Sequence, residues 1–259
     1  MSEFFFNLGR QLGRKVVPAF RKSKLYWAGL AGTEEESLRA EIELGSALAN
    51  ELRAATQPAN DLLAASLVNN LCQRLSGRIR DNHRVFHCEL IQDSSPNALA
   101  LPGGFLFISN SLVNFCERHP DELAFVLGHE MAHIIRRHVW ERMLNEAALR
   151  MASVVAARAG ALGHWFRGKG MGFLRSAYSR DSELEADELG LRLAAAAGFA
   201  PSRAIIWLQR IEGRERDPAE VGNYFDSHPA PSERITRLAL LVRQLESGAG
   251  GEVKRGEGG

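Results

Sequence analysis

The sequence predicts an α+β, mainly helical fold in which a small antiparallel sheet or hairpin lies beside one central helix. Helical apolar spacing runs through most of the 259 residues, and the β-type runs fall between 84 and 109. One helical stretch, Asp121 to Arg142, apolar on nearly every side, carries two histidines and a glutamate at its centre. An apolar fraction of 45% is ample for a packed core. No apolar run reaches the roughly 20 residues that a membrane-spanning helix needs.

Residues 1–32 read as a basic amphipathic segment. Phe5, Leu8, Leu12 and Val16 share one helical face, Arg10 and Arg14 lie on the other, and Pro18 ends the pattern. Charges within the apolar stretch exclude a signal peptide. The segment is read as membrane-surface contact through residues 1–24 or as docking on the domain, in preference to organelle targeting. With a net charge of +1, nucleic acid is not an expected partner. Cys72, Cys88 and Cys116 form no CxxC pair and read as small buried hydrophobes.

The domain is expected over 33–246. Thr33 to Ala55 opens with a capping-box pattern and turns Leu38, Ile42, Ala49 and Leu52 to one face. Asp61 to Ile79 is a second helix, with Leu63, Leu67, Leu71 and Leu75 as its stripe, and Arg84 to Ile91 a strand. From Pro96 to Ser109, two β-type runs flank Pro102-Gly103-Gly104, a hairpin signal. Main-chain groups of Asn97, Ala98, Leu99 and Ala100 could hold an extended peptide as an added strand. The hairpin could equally be a packing element alone.

Within the central stretch, His129-Glu130-Met131-Ala132-His133 spells H-E-x-x-H. Residues four apart share a helix face, so both histidines can bind one metal ion, with Glu130 beside them as a base. Asp121 is read as the N-terminal cap. Buried imidazoles and carboxylates are costly without partners, and a metal supplies them. Catalytic zinc takes a third protein ligand. Arg136 and Val139 stand where the metzincin extension requires Gly and His, and His138 points away from His129 on a continuous helix, so it reads as a structural residue or a support behind the ligands. An acid from a later helix remains, and Glu183 with Asp187 one turn on is the best candidate. The alternative is that these acids form a solvated face near a helix N-terminus. Gly160 to Gly172, with Trp165, Phe166 and Phe173 nearby, read as an irregular loop or a lid. Pro201 to Ile211 is a further helix. The loop Asn223 to Ile235 enters a last helix ending near Glu246, and 247–259 reads as a disordered tail.

Four segments in this order resemble the gluzincin metallopeptidases of peptidase family M48, the group of HtpX, the CAAX prenyl protease, the mitochondrial Oma protease and BepA. They are the N-A-x-A-L-P-G-G stretch at Asn97 to Gly104, the H-E-x-x-H helix, S-R-x-x-E-x-E-A-D at Ser179 to Asp187, and H-P-x-P-x-x-R-I at His228 to Ile235. The resemblance covers roughly 35–245. It implies a zincin-like metallopeptidase domain binding one Zn2+ through His129, His133 and Glu183, with Asp187 orienting a ligating histidine. It further implies that His228 and Arg234 line the cleft and stabilise the oxyanion. In some members the histidine instead occupies the open zinc position and keeps the enzyme latent. The multi-pass helices of HtpX and the prenyl protease are lacking, as are the leader and helical repeats of BepA. Their particular substrates are therefore not inherited.

The expected activity is zinc-dependent hydrolysis of peptide bonds in extended or unfolded polypeptides, with protein quality control at a membrane surface. The expected location is the cytoplasm, peripheral to a membrane. The rival reading is a zinc-binding, chaperone-like or latent module without turnover.

Overall fold

The computed structural model describes residues 28–29, 31–80, 83–145, 178–214, 228 and 231–253. The amphipathic reading of 1–24 and the glycine-rich stretch 160–172 lie outside these residues.

Helix α1 (Glu34–Ala55) starts at the expected capping box. Thr33 Oγ1 accepts from the Glu36 amide, and Glu36 accepts from the Thr33 amide at 2.8 Å. Helix α2 (Leu62–Ser76) is capped by Asp61. Its core stripe differs from the sequence reading: Leu63 is 79% exposed, while Ala64, Val68, Leu71, Cys72 and Leu75 are buried. Leu67, Leu71 and Leu75 do follow one four-residue row. The face that meets the sheet lies one residue round from Leu63.

Strands β1 (His87–Ile91), β2 (Ala98–Leu101) and β3 (Phe105–Ser109) form a three-stranded sheet in the order β1-β3-β2. β2 and β3 make the expected antiparallel hairpin, with Ala98 opposite Ile108 and Leu101 opposite Phe105. Pro102–Gly104 turns between them as a single 3-10 turn, and Gly103 takes a φ of 79° that other L-residues resist. β1 joins β3 in parallel, His87 opposite Phe105, so the sheet is mixed. Both faces are covered: Leu106 and Ile108 join the core formed by α2 and later helices, while Phe107 packs with Leu44, Leu48 and Leu52 of α1. The chain at 57–59 covers part of the β1 edge through Ala59 N–Leu90 O and Gln92 N–Gln57 O bonds. Among the described residues β2 pairs only with β3, leaving its outer edge without a strand.

Short α3 (Asn110–Phe115) leads to α4 (Pro120–Ile135), buried without a break from Glu122 to Ile134. Pro120 occupies the first helical turn, where its missing N–H is harmless, and His119 is the cap residue. Asp121, read as the cap, lies inside the first turn and accepts from the Ala200 amide. The stretch Asp121 to Arg142 is not one helix. It stops at Arg136, Arg137 takes a φ of 61°, and a new helical segment opens at 138.

Helices α5 (Arg180–Ala196), α6 (Ser202–Arg214) and α7 (Pro231–Val253) complete the fold. α5 is capped by Ser179 and ends at Gly198, whose φ is 81°. α7 continues past Glu246, where the sequence reading ended it, through the glycine-rich 247–251. The three cysteines are buried, as expected.

The crossing of α4 and α5 fixes the interior. A Cβ on Gly190 would lie 2.6 Å from the His129 amide nitrogen, and one on Gly128 would lie 2.8 Å from the Gly190 carbonyl oxygen. The two backbones therefore touch through glycine, which carries side chains one and two turns before Gly190 across to α4. Gly190→Ala must push backbone against backbone. It should cost about 1–3 kcal/mol in urea unfolding, the range for overpacking. Gly213→Ala, which has open space on α6, should be neutral or mildly stabilising. Equal stability of the two variants would contradict this packing.

Candidate metal centre

α4 presents His129 and His133 one turn apart, and α5 presents Glu183 and Asp187 one turn apart on the facing side. All four are buried, as are Glu130 and His228. The Nε2 atoms of His129 and His133 lie 3.0 Å apart. Glu183 Oε1 lies 3.3 Å from His133 Nε2, and its Oε2 lies 3.7 Å from His129 Nε2. Four-coordinate zinc with bonds of about 2.0–2.1 Å holds its ligand atoms roughly 3.3 Å apart, so this donor set fits the ion. His129, His133, Glu183 and His228 can each place one donor atom within 4.8 Å of the others.

The tautomers follow from the partners. His129 Nδ1 is 2.9 Å from Asp187 Oδ1. A carboxylate only accepts, so Nδ1 carries the proton and Nε2 offers a bare lone pair to the cluster. Burial pushes the His133 pKa down to about 3, which keeps that ring neutral and able to ligate. A lone pair facing a second ring nitrogen and a carboxylate calls for a cation between them. Glu183 Oε1, 3.3 Å from His133 Nε2, brings a carboxylate lone pair to the same set.

The acids stay ionised despite burial. For Glu183 burial acts upward, but His228 and His129 outweigh it and hold the carboxyl well below the usual range. For Asp187 burial is again opposed, chiefly by the Arg234 guanidinium, and the pKa is lowered. Arg234 Nε donates to Asp187 Oδ2 at 2.7 Å and Nη2 to Oδ1 at 2.8 Å. Its Nη1 lies 3.1 Å from Glu183 Oε2. At 3% exposed, Arg234 braces both acids from α7. This contact was not legible beforehand, since the resemblance implied a cleft-lining role for Arg234.

His228 sits among the donors. Its Nδ1 is 2.9 Å from Glu183 Oε1 and 3.2 Å from His129 Nε2, and its Nε2 is 3.3 Å from Glu130 Oε1. Burial lowers its pKa, but Glu183 and Glu130 more than compensate and raise it to about 9. Glu130 is lowered in turn: His228 outweighs the upward effect of burial. Tyr178 was missed by sequence reasoning. Its ring stacks on His133 with centroids 3.8 Å apart, and Arg142 lies over it at 4.1 Å. A lone aromatic just before a helix cap carries no periodic signal.

The sequence-read segment Asn97, Ala98, Leu99 and Ala100 adjoins α4 as β2 and its approach. Asn97, Ala98 and Ala100 are buried and Leu99 packs toward α1, so only the main-chain edge is available to a ligand.

A buried H-E-x-x-H helix completed by an acid from a second helix is a gluzincin-type active-site arrangement. The family model "Peptidase family M48" matches residues 63–241, and the chain belongs to that family. It is 26% identical over 247 residues to the "Beta-barrel assembly-enhancing protease" of Escherichia coli K12, covering 89% of this chain and 50% of that protein. It is 33% identical over 153 residues to "Mitochondrial metalloendopeptidase OMA1" of Schizosaccharomyces pombe, covering 58% of this chain and 44% of the relative. "Metalloendopeptidase OMA1, mitochondrial" of Danio rerio is 31% identical over 199 residues, covering 68% and 40%. The chain thus spans half or less of the length of these relatives.

Asp187→Asn removes the charge that pairs with Arg234 and weakens the hold on His129. It should cost about 3 kcal/mol at pH 7, the lower end for breaking a buried ion pair. The folded pKa of Asp187 is depressed, so its contribution is complete above the unfolded value near 4 and fades as pH falls through the lower folded value. The difference between wild type and variant should therefore shrink below about pH 4, read by urea unfolding of the metal-free proteins. A constant difference at all pH values would contradict the assignment.

Proposed function

We propose that the protein is a single-zinc endopeptidase cutting extended or unfolded polypeptide chains. The observation that carries this reading is the convergence of two imidazole Nε2 atoms and the Glu183 carboxylate, with Glu130 beside them. His129, His133 and Glu183 would hold the ion, which when bound polarises a substrate carbonyl and favours deprotonation of water. Glu130 takes the proton of the attacking water and returns it to the leaving amine. His228, within reach of Glu130, donates to the developing oxyanion. Arg234 acts through Asp187 and Glu183, fixing where the ligands stand. Within the segment Asn97 to Ala100 the substrate lies along the outer edge of β2, held by main-chain hydrogen bonds of Ala98 and Ala100, since the Asn97 amide and carbonyl already bond Ser109.

Among the described residues no helix is long and apolar enough to cross a membrane. Peripheral contact through the basic residues 1–24, on the cytoplasmic side, and a quality-control role belong to the proposal. The charge pattern of residues 1–24 supports the membrane contact.

One observation favours a second reading. His228 shares the metal-facing space with the other donors, so it could serve as a fourth ligand and hold the enzyme latent. The two readings separate in one experiment, cleavage of an unfolded protein at measured zinc content. Glu130→Gln should keep its zinc and lose about 10²–10⁴-fold in turnover. Undiminished cleavage would rule out Glu130 as the base. His228→Ala should lose activity if the ring stabilises the oxyanion and gain it if the ring is a latch. A wild type and Glu130→Gln that both bind zinc and cleave nothing, whether or not His228 is replaced, would leave the binding-module reading.

A further inference from the structure

Asp187 fixes the ring of His129, and a second support of the same kind stands behind His133. His133 Nδ1 lies 3.0 Å from His138 Nδ1. His138 Nε2 in turn lies 3.5 Å from Glu185 Oε2. A continuous helix would carry His138 to the far side of α4. The break at Arg136 and Arg137, with its positive φ, brings it back against His133 instead. On α5, Glu185 stands between Glu183 and Asp187, so three acids at alternate positions serve one centre. Glu183 reaches the donor cluster, Asp187 reaches His129, and Glu185 reaches His138.

We propose that His138, backed by Glu185, is the positioning residue for the ligand His133, an inference that rests on the zinc reading above. The proton inventory supports it. For His133 Nε2 to face the metal with its lone pair, the ring proton must sit on Nδ1. Only an acceptor can stand opposite that N–H, so His138 presents a bare Nδ1. Its own proton then lies on Nε2, directed at the Glu185 carboxylate. Tyr178, stacked on His133, holds the plane of the ring while His138 sets its rotation. Supports of this type fix ligand orientation and strengthen the ligand as a base.

The test compares zinc affinity, by competition with a chromophoric chelator, for wild type, His138→Asn, His138→Gln and Glu185→Gln. Cobalt-substituted spectra are recorded alongside. Asn places its side-chain oxygen near the position of Nδ1, whereas Gln places it near Nε2. His138→Gln should weaken zinc about 10–100-fold and alter the cobalt spectrum, the usual effect of losing such a partner. His138→Asn should stay within a few-fold of wild type, and Glu185→Gln should fall between. Wild-type affinity in His138→Gln, or an Asn variant as weak as Gln at matched metal-free Tm, would overturn the inference alone. Failure of the wild type to bind zinc would sink the metal reading and this inference with it. Should His138→Gln not fold, Glu185→Gln decides, because its carboxylate is exposed: unchanged zinc affinity there overturns the proposal.

Discussion

The structure depends on how closely α4 and α5 approach. Two glycines let the helices meet backbone to backbone, and every polar contact of the centre is measured from that crossing. At that crossing Glu183 of α5 stands 3.3 Å from His133 Nε2 of α4. The apolar groups of α4 make such a polar interior tolerable. Phe125, Val126, Leu127 and Met131 are each buried, contributing on the order of 1.5–3 kcal/mol apiece. That gain offsets a group of ionisable side chains that burial alone would make strongly unfavourable.

The electrostatics are organised in tiers. Imidazoles face the centre, acids stand behind them, and Arg234 stands behind the acids. Each tier neutralises the one in front, and the outermost charge is the one that α7 brings in. The last helix is thus an electrostatic part of the site although it holds no H-E-x-x-H residue. Another buried acid, Glu122, meets an arginine at the other end of α4, where burial nonetheless raises its pKa. Arg210 from α6 donates to it at 2.9 and 3.1 Å.

Much of this could be read from the sequence, for definable reasons. Capping residues act within a few positions, so Thr33 and Asp61 marked helix starts correctly. The i, i+4 pairs His129/His133 and Glu183/Asp187 are likewise local; the need of zinc for a third ligand pointed to the acidic pair, and the family resemblance singled out Glu183. What escaped is what depends on tertiary contact. The Arg234 brace, the Tyr178 stack and the parallel docking of β1 on β3 involve residues far apart in the chain. His138 is a case of another kind: the structure keeps it out of the donor cluster, behind His133. Its direction was inferred from a continuous helix, and no glycine or proline announces the break at Arg136–Arg137. The stripe on α2 slipped because four leucines in a row of fours outweighed the smaller Ala64, Val68 and Cys72 that meet the sheet.

One buried carboxylate bears on where the working unit begins. Glu41 of α1 accepts from Arg84 Nε at 3.0 Å and Nη2 at 2.9 Å, and from the Gly103 amide at 3.2 Å. It also pairs with Arg137 Nε at 3.3 Å, where α4 ends. A single side chain therefore joins the hairpin turn to the close of the H-E-x-x-H helix. It comes from a helix that precedes the family match at 63–241. A fragment cut at the edge of that match would expose one face of the sheet and strand two arginines and a turn amide without their shared acceptor. The packing around the catalytic sequence therefore extends beyond the family match to α1, which supplies Glu41.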